Sequence, residues 1–142
     1  METLEFEIKI NASPEKVWTV LWEDTHYRQW TSAFTKGSFY VGTWDEGSIV
    51  KFFDPNNNGM YSRILKNNPN KEMSFLHLGE IYDGVETPQD WGDATETYLL
   101  EKTDDGTLLK ARIKTSEEFK AFFEGKFPQA LQNVKNLAEN QL

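Results

Sequence analysis

The feature that most limits what this chain can fold into is its last segment. Phe119, Phe122, Phe123, Phe127, Ala130, Leu131, Val134, Leu137 and Ala138 recur at steps of three and four. That spacing places them on one stripe of a helix, and a stripe this wide must be buried against something. Ser116, Glu117 and Glu118 read as the start: a capping hydroxyl followed by acids that complement the helix dipole. Gly125 and Pro128 interrupt the stripe. Pro128 lacks a backbone donor and crowds the preceding turn. Either the helix kinks there, or a short helix ends near Gly125 and the main one starts near Pro128.

The surface that could cover this stripe is written upstream. Leu4, Phe6, Ile8 and Ile10 alternate with Glu5, Glu7 and Lys9, the period-2 pattern of a half-buried strand. Ser13, Pro14 and Glu15 then open a helix whose apolar face is Val17, Trp18, Leu21 and Trp22. A second short helical piece covers residues 24–30. From Phe39 onward the pattern turns to strands, at residues 48–53, 60–66, 72–82, 94–102 and 107–115. Turns rich in Asn, Asp, Pro and Gly separate them at 54–59, 67–70 and 104–106. Residues 83–90 read as a loop. An antiparallel sheet with one apolar face and a helix with one apolar stripe cover each other. The expected class is α+β: a curved antiparallel sheet of about seven strands around a long C-terminal helix, with two short helices after strand 1. Residues 1–142 suit a single domain, and an incompletely filled concavity would leave an apolar cavity.

Charge and composition exclude several functions. Acids outnumber bases 23 to 15, for a net charge of −8, and no basic stripe is present, so no nucleic-acid partner is expected. Anionic membrane surfaces are disfavoured for the same reason. No apolar run approaches the roughly 20 residues of a membrane span, and the alternating N-terminus does not read as a signal peptide. The chain has no Cys, which removes disulfides, thiolate catalysis and Cys-built zinc sites and is compatible with the expected cytoplasmic location.

Several stretches together resemble the START-like, or SRPBCC, superfamily, and within it the bacterial branch named after the activator of heat-shock-protein-90 ATPase. They are residues 10–18 (INASPEKVW), residues 27–31 (YRQWT), Gly37-Ser38, Trp44, Glu46-Gly47-Ser48, and a tail running from Ala130-Leu131 through Val134 to Glu139. The resemblance spans nearly the whole chain and implies the helix-grip fold. Relatives bind lipids, act as cyclases or hydrolases, or bind proteins, so the branch name does not assign an activity. A stress-response role is the most that the name suggests.

Candidate site residues follow from where the helices should meet the sheet. His77 shares a side of its strand with Met73, Phe75, Gly79 and Ile81, and points into the concavity if that side is the inner one. There it can bind a polar ligand group or act as acid or base. The bland alternative is a hydrogen-bonded structural His. Trp22 and Trp30 are candidates to wall a pocket mouth, Tyr98 to offer a hydroxyl, and Phe75 to line the floor. Phe119, Phe122, Phe123, Phe127 and Leu131 belong either to the core or to the ligand space. Arg112, Lys110 and Lys114 alternate with Leu109, Ala111 and Ile113 and point outward. No nucleophile elbow, phosphate loop or metalloprotease motif is present, and the acidic stretch 83–93 lacks calcium-loop spacing. No catalytic residue, metal or cofactor is therefore nominated. Binding of a small apolar or amphipathic molecule leads, as carrier or sensor. A protein-interaction module with a chaperone or homodimer contact is the alternative, and a cyclase- or hydrolase-like enzyme the second.

Overall fold

The computed structural model describes residues 1–140. In chain order they form β1 (Glu2–Ile10), α1 (Pro14–Trp22), α2 (Asp24–Trp30), a 3-10 turn (Thr31–Ala33), β2 (Phe39–Val41), β3 (Ile49–Phe53), β4 (Gly59–Asn68), β5 (Glu72–Tyr82), β6 (Val85–Pro88), β7 (Thr95–Thr103), β8 (Gly106–Thr115) and α3 (Glu117–Asn140). The eight strands make one antiparallel sheet in the order β1-β8-β7-β5-β4-β3-β2, with β6 added to β5. The α+β arrangement expected from the patterning is therefore present, with eight strands where about seven were expected. α3 packs chiefly on β1, α1, α2 and the 3-10 turn. Phe127, Ala130, Leu131, Val134 and Ala138 are buried there with Leu4, Ile10, Val17 and Leu21.

The ends of the early helices are set by local chemistry. Ser13 caps α1 by accepting a hydrogen bond from the Lys16 amide at 3.2 Å, and Pro14 occupies the first turn. The last carbonyls of α1 have no helical partners. Instead, the Trp30 indole donates to the Leu21 carbonyl at 2.9 Å, and Tyr40 and Trp44 both donate to the Trp22 carbonyl. Three aromatic side chains thus tie α2 and the β2–β3 region to one helix end.

Three sequence expectations are corrected. Residues 83–90 are not simply a loop: Asp83 (φ 50°) and Gly84 (φ 79°) make a tight left-handed turn, and β6 then pairs back onto β5. The Asp-Gly pair is a hairpin signal. All four β6 residues are exposed, so no burial alternation marks the strand. Secondly, of the two arrangements open at Pro128 the broken one is excluded: α3 runs as one helix through Gly125 and Pro128. Both residues are exposed, so the carbonyl that Pro128 leaves without a donor faces water. Thirdly, Ser116 does not cap α3: its hydroxyl is buried and without a hydrogen-bond partner.

Two irregularities in the β4–β5 pair shape the concave face. Tyr61 pairs with Gly79 but Ser62 pairs with His77, so Leu78 is bulged out of the ladder. A second shift between Ile64 and Lys66 turns Leu65 to the surface. The far edge of β5 changes partner at the same place. β7 pairs with Glu72 to Leu76 and β6 with Gly79 to Tyr82. At the fork, the His77 amide donates to the Ala94 carbonyl.

Candidate functional site

Between α3, the early helices and the middle strands lie two clefts, of about 360 and 270 Å³. α3 leaves them because its two halves are used differently. Its C-terminal half is core, whereas Phe119 (36 % exposed) and Phe122 (45 % exposed) overhang the sheet. The larger cleft is walled by aromatic rings from most elements of the fold, including Trp22, Tyr27, Phe34, Phe52, Phe75 and Tyr98. Many meet edge-to-face, as Trp22 does with Tyr98 at 5.1 Å and Tyr27 with Tyr40 at 4.9 Å, the arrangement ring quadrupoles favour.

A hydrogen-bonded polar network reaches this surface. The Ser62 hydroxyl lies 2.7 Å from His77 Nδ1, His77 Nε2 lies 2.9 Å from Glu96 Oε1, and the Tyr98 hydroxyl donates to Glu96 Oε2 at 2.9 Å. Residues 96 and 98 alternate on β7 and both reach the concave face. The bulge at Leu78 brings Ser62 directly opposite His77. With Glu96 as carboxylate and His77 as neutral imidazole, one proton assignment satisfies every link. Ser62 donates to Nδ1, Nε2 donates to Glu96, and Tyr98 donates to Glu96. Burial first, and then the Glu96 charge, holds the Tyr98 hydroxyl well above its ordinary pKa of 10.0. It is a fixed donor, not a base. Tyr27 is raised likewise, by burial and then by Glu96 and Tyr40.

This set is not laid out for nucleophilic attack. Ser62 has no exposure and lines neither cleft, so a substrate carbonyl in the cleft would not meet its hydroxyl. His77 (8 % exposed) and Glu96 (14 % exposed) are the members that line the larger cleft. Among the described residues no group of three His, Asp or Glu is placed to hold a metal ion. Two buried polar atoms in the cleft walls have no protein partner. They are the Trp22 indole nitrogen in the larger cleft and the Ser116 hydroxyl in the smaller.

Of the residues singled out in the sequence, Trp22, Trp30, Phe75, His77 and Tyr98 line the larger cleft. Phe122 and Phe123 line both, and Phe119 lines the smaller with Trp91 edge-on to it. Phe127 and Leu131 line neither. They are core residues, Phe127 stacking on Phe6 at 5.0 Å. Sequence reasoning missed Ser62, Glu96, Tyr27, Phe34 and Phe52. Glu96 had a readable signal, since it shares strand parity with Tyr98. Ser62 had none, because only the bulge places it. His26 is half-buried beside Glu23. Lys110, Arg112 and Lys114 point outward, paired with Glu101, Glu5 and Asp93. No helix among the described residues is long and apolar enough to cross a membrane.

Comparison with known proteins agrees with the fold. The chain is similar to the Aha1 dimer from Colwellia psychrerythraea, at 24 % identity and a TM-score of 0.79, over 99 % of this chain and 98 % of that one. It is similar to protein MLL2253 from Mesorhizobium loti at 19 % identity and 0.76, over 99 % and 100 %. It is also similar to CalU16 from Micromonospora echinospora at 17 % and 0.68, over 97 % and 76 %. None of the curated proteins matches the chain. Residues 11–139 match the family described as "Activator of Hsp90 ATPase homolog 1-like protein". The chain belongs to that family, within the START-like superfamily, as its sequence resemblance implied.

Proposed function

We propose that the chain binds a small, mostly apolar molecule in the larger cleft, with a polar end directed to Glu96 and His77. The observation that carries this reading is the pairing of an aromatic-walled space with the convergent polar set of His77, Glu96 and Tyr98, the composition small-molecule sites share. Removing about 200 Å² of ligand apolar surface from water would contribute about 5 kcal/mol at about 25 cal/mol per Å², less the cost of association. The test is titration with N-phenyl-1-naphthylamine, a neutral fluorescent aromatic, followed by fluorescence and by NMR. Saturable 1:1 binding that shifts the signals of Trp22, Phe75 and Tyr98 is expected. Absence of saturable binding, or shifts confined to the outer face of the sheet, would overturn the reading.

A protein contact is the second reading, favoured by the β5–β6 hairpin. Tyr82 and Val85 pair across its turn and are both strongly exposed. The similar Colwellia protein is a dimer. Light scattering of the unaltered chain and of Tyr82→Ser at high concentration checks it. The same monomer mass for both would remove self-association through the hairpin.

A further inference from the structure

The larger cleft has a charge character that narrows what it can hold. Its charged wall residues are Asp54, Glu96 and the titratable His77; no Lys or Arg lines it. Asp54 is occupied by its own turn, its carboxylate accepting from the Asn56 and Asn58 amides. Arg28 lies over the Phe39 ring at the rim, but its guanidinium is bound to Asp24. Glu96 is left as a mostly buried acid whose protein partners are the Tyr98 hydroxyl and the His77 imidazole, with no Lys or Arg beside it. A buried acid of this kind favours a cationic partner. Each Glu96 oxygen has one donor and can accept a second. A cation placed over the face of any of the surrounding rings would be attracted by its quadrupole, and an anion repelled.

We infer that the larger cleft selects organic cations: an ammonium group on an aromatic or short alkyl body, seated against Glu96 and the neighbouring ring faces, with carboxylates rejected. This rests on the reading that the cleft binds small molecules, and the test separates the two. The unaltered chain is titrated by calorimetry with 1-naphthylmethylammonium, 1-naphthylmethanol and 1-naphthoate, which share a ring body and differ in charge. The ammonium ligand should bind at least tenfold more tightly than the carboxylate, with the alcohol between. Glu96→Gln should shrink that gap to threefold or less. Glu7→Gln removes the same charge from an exposed position on β1 and should leave the gap intact.

If the alcohol binds but the gap in the unaltered chain is below tenfold, or reversed, the inference falls and the binding reading stands. If no ligand binds, both fall. A gap that survives Glu96→Gln, or that Glu7→Gln narrows equally, would show attraction by the acidic surface as a whole and overturn the inference. Should Glu96→Gln not fold, magnetisation transfer between the ligand methylene protons and the Tyr98 and His77 rings of the unaltered chain decides. Its absence overturns the proposal.

Discussion

At the scale of single residues, the Glu96–Tyr98 contact links the cleft to stability. The folded chain holds the Tyr98 proton to higher pH than the unfolded chain does. Its contribution is therefore fully present below the ordinary tyrosine value of 10.0 and is lost as pH climbs from there through the raised value. Tyr98→Phe should flatten the alkaline fall in stability, measured as urea midpoints between about pH 8 and 11.5. Some decline should persist, because Tyr27 is raised in the same direction. A variant whose alkaline limb superimposes on that of the unaltered chain would contradict this. Strand parity, a local property, grouped His77 with Met73, Phe75 and Ile81 in the sequence, and that side is the buried one. Ser62 was not legible in this way, since its position depends on one residue skipped in a partner strand.

At the scale of elements, the bulge in β5 is held in place by a glycine. A Cβ at Gly79 would stand 2.4 Å from the Thr87 carbonyl oxygen and 2.7 Å from the Tyr61 hydroxyl. Backbone on one side and a ring on the other leave no room to relax. Gly79→Ala should destabilise by about 1–3 kcal/mol, read as a lowered urea midpoint with an unchanged slope. It should also loosen β6, which pairs at that residue. The regular strands and both early helices were readable because their apolar residues repeat at fixed periods. β6 was hidden for the opposite reason, as a strand with no buried face carries no period. At Pro128 the sequence left a kinked helix and a broken one open, and the helix is continuous. A proline on the wet side of a long helix leaves its freed carbonyl to solvent rather than ending the helix.

At the scale of the whole molecule, the two ends of the chain fasten to each other. Glu139, near the end of α3, accepts from the Asn11 amide at 2.7 Å and from Lys135, and Lys135 also reaches the Lys9 carbonyl at 3.0 Å. The Asn11 amide first, and then Lys135, lowers the Glu139 carboxyl below its ordinary value of 4.5. That contribution is present above pH 4.5 and is lost as pH falls through the lowered value. Glu139→Gln should lower the melting temperature slightly at neutral pH and make the acid limb shallower. Equal acid limbs would show that this clasp carries no weight.

The two clefts also share a wall made by Gly59, Met60, His77, Phe122 and Phe123, and the Met60 side chain is its unbranched, pliable member. Trimming that side chain would remove part of the wall between the two spaces and let a longer guest extend from one into the other. Met60→Ala should therefore shift preference from short to long linear alcohols, decanol gaining on hexanol in competition with a bound fluorophore. The length of guest this protein can take would then be set by one thioether side chain and not by the dimensions of the sheet.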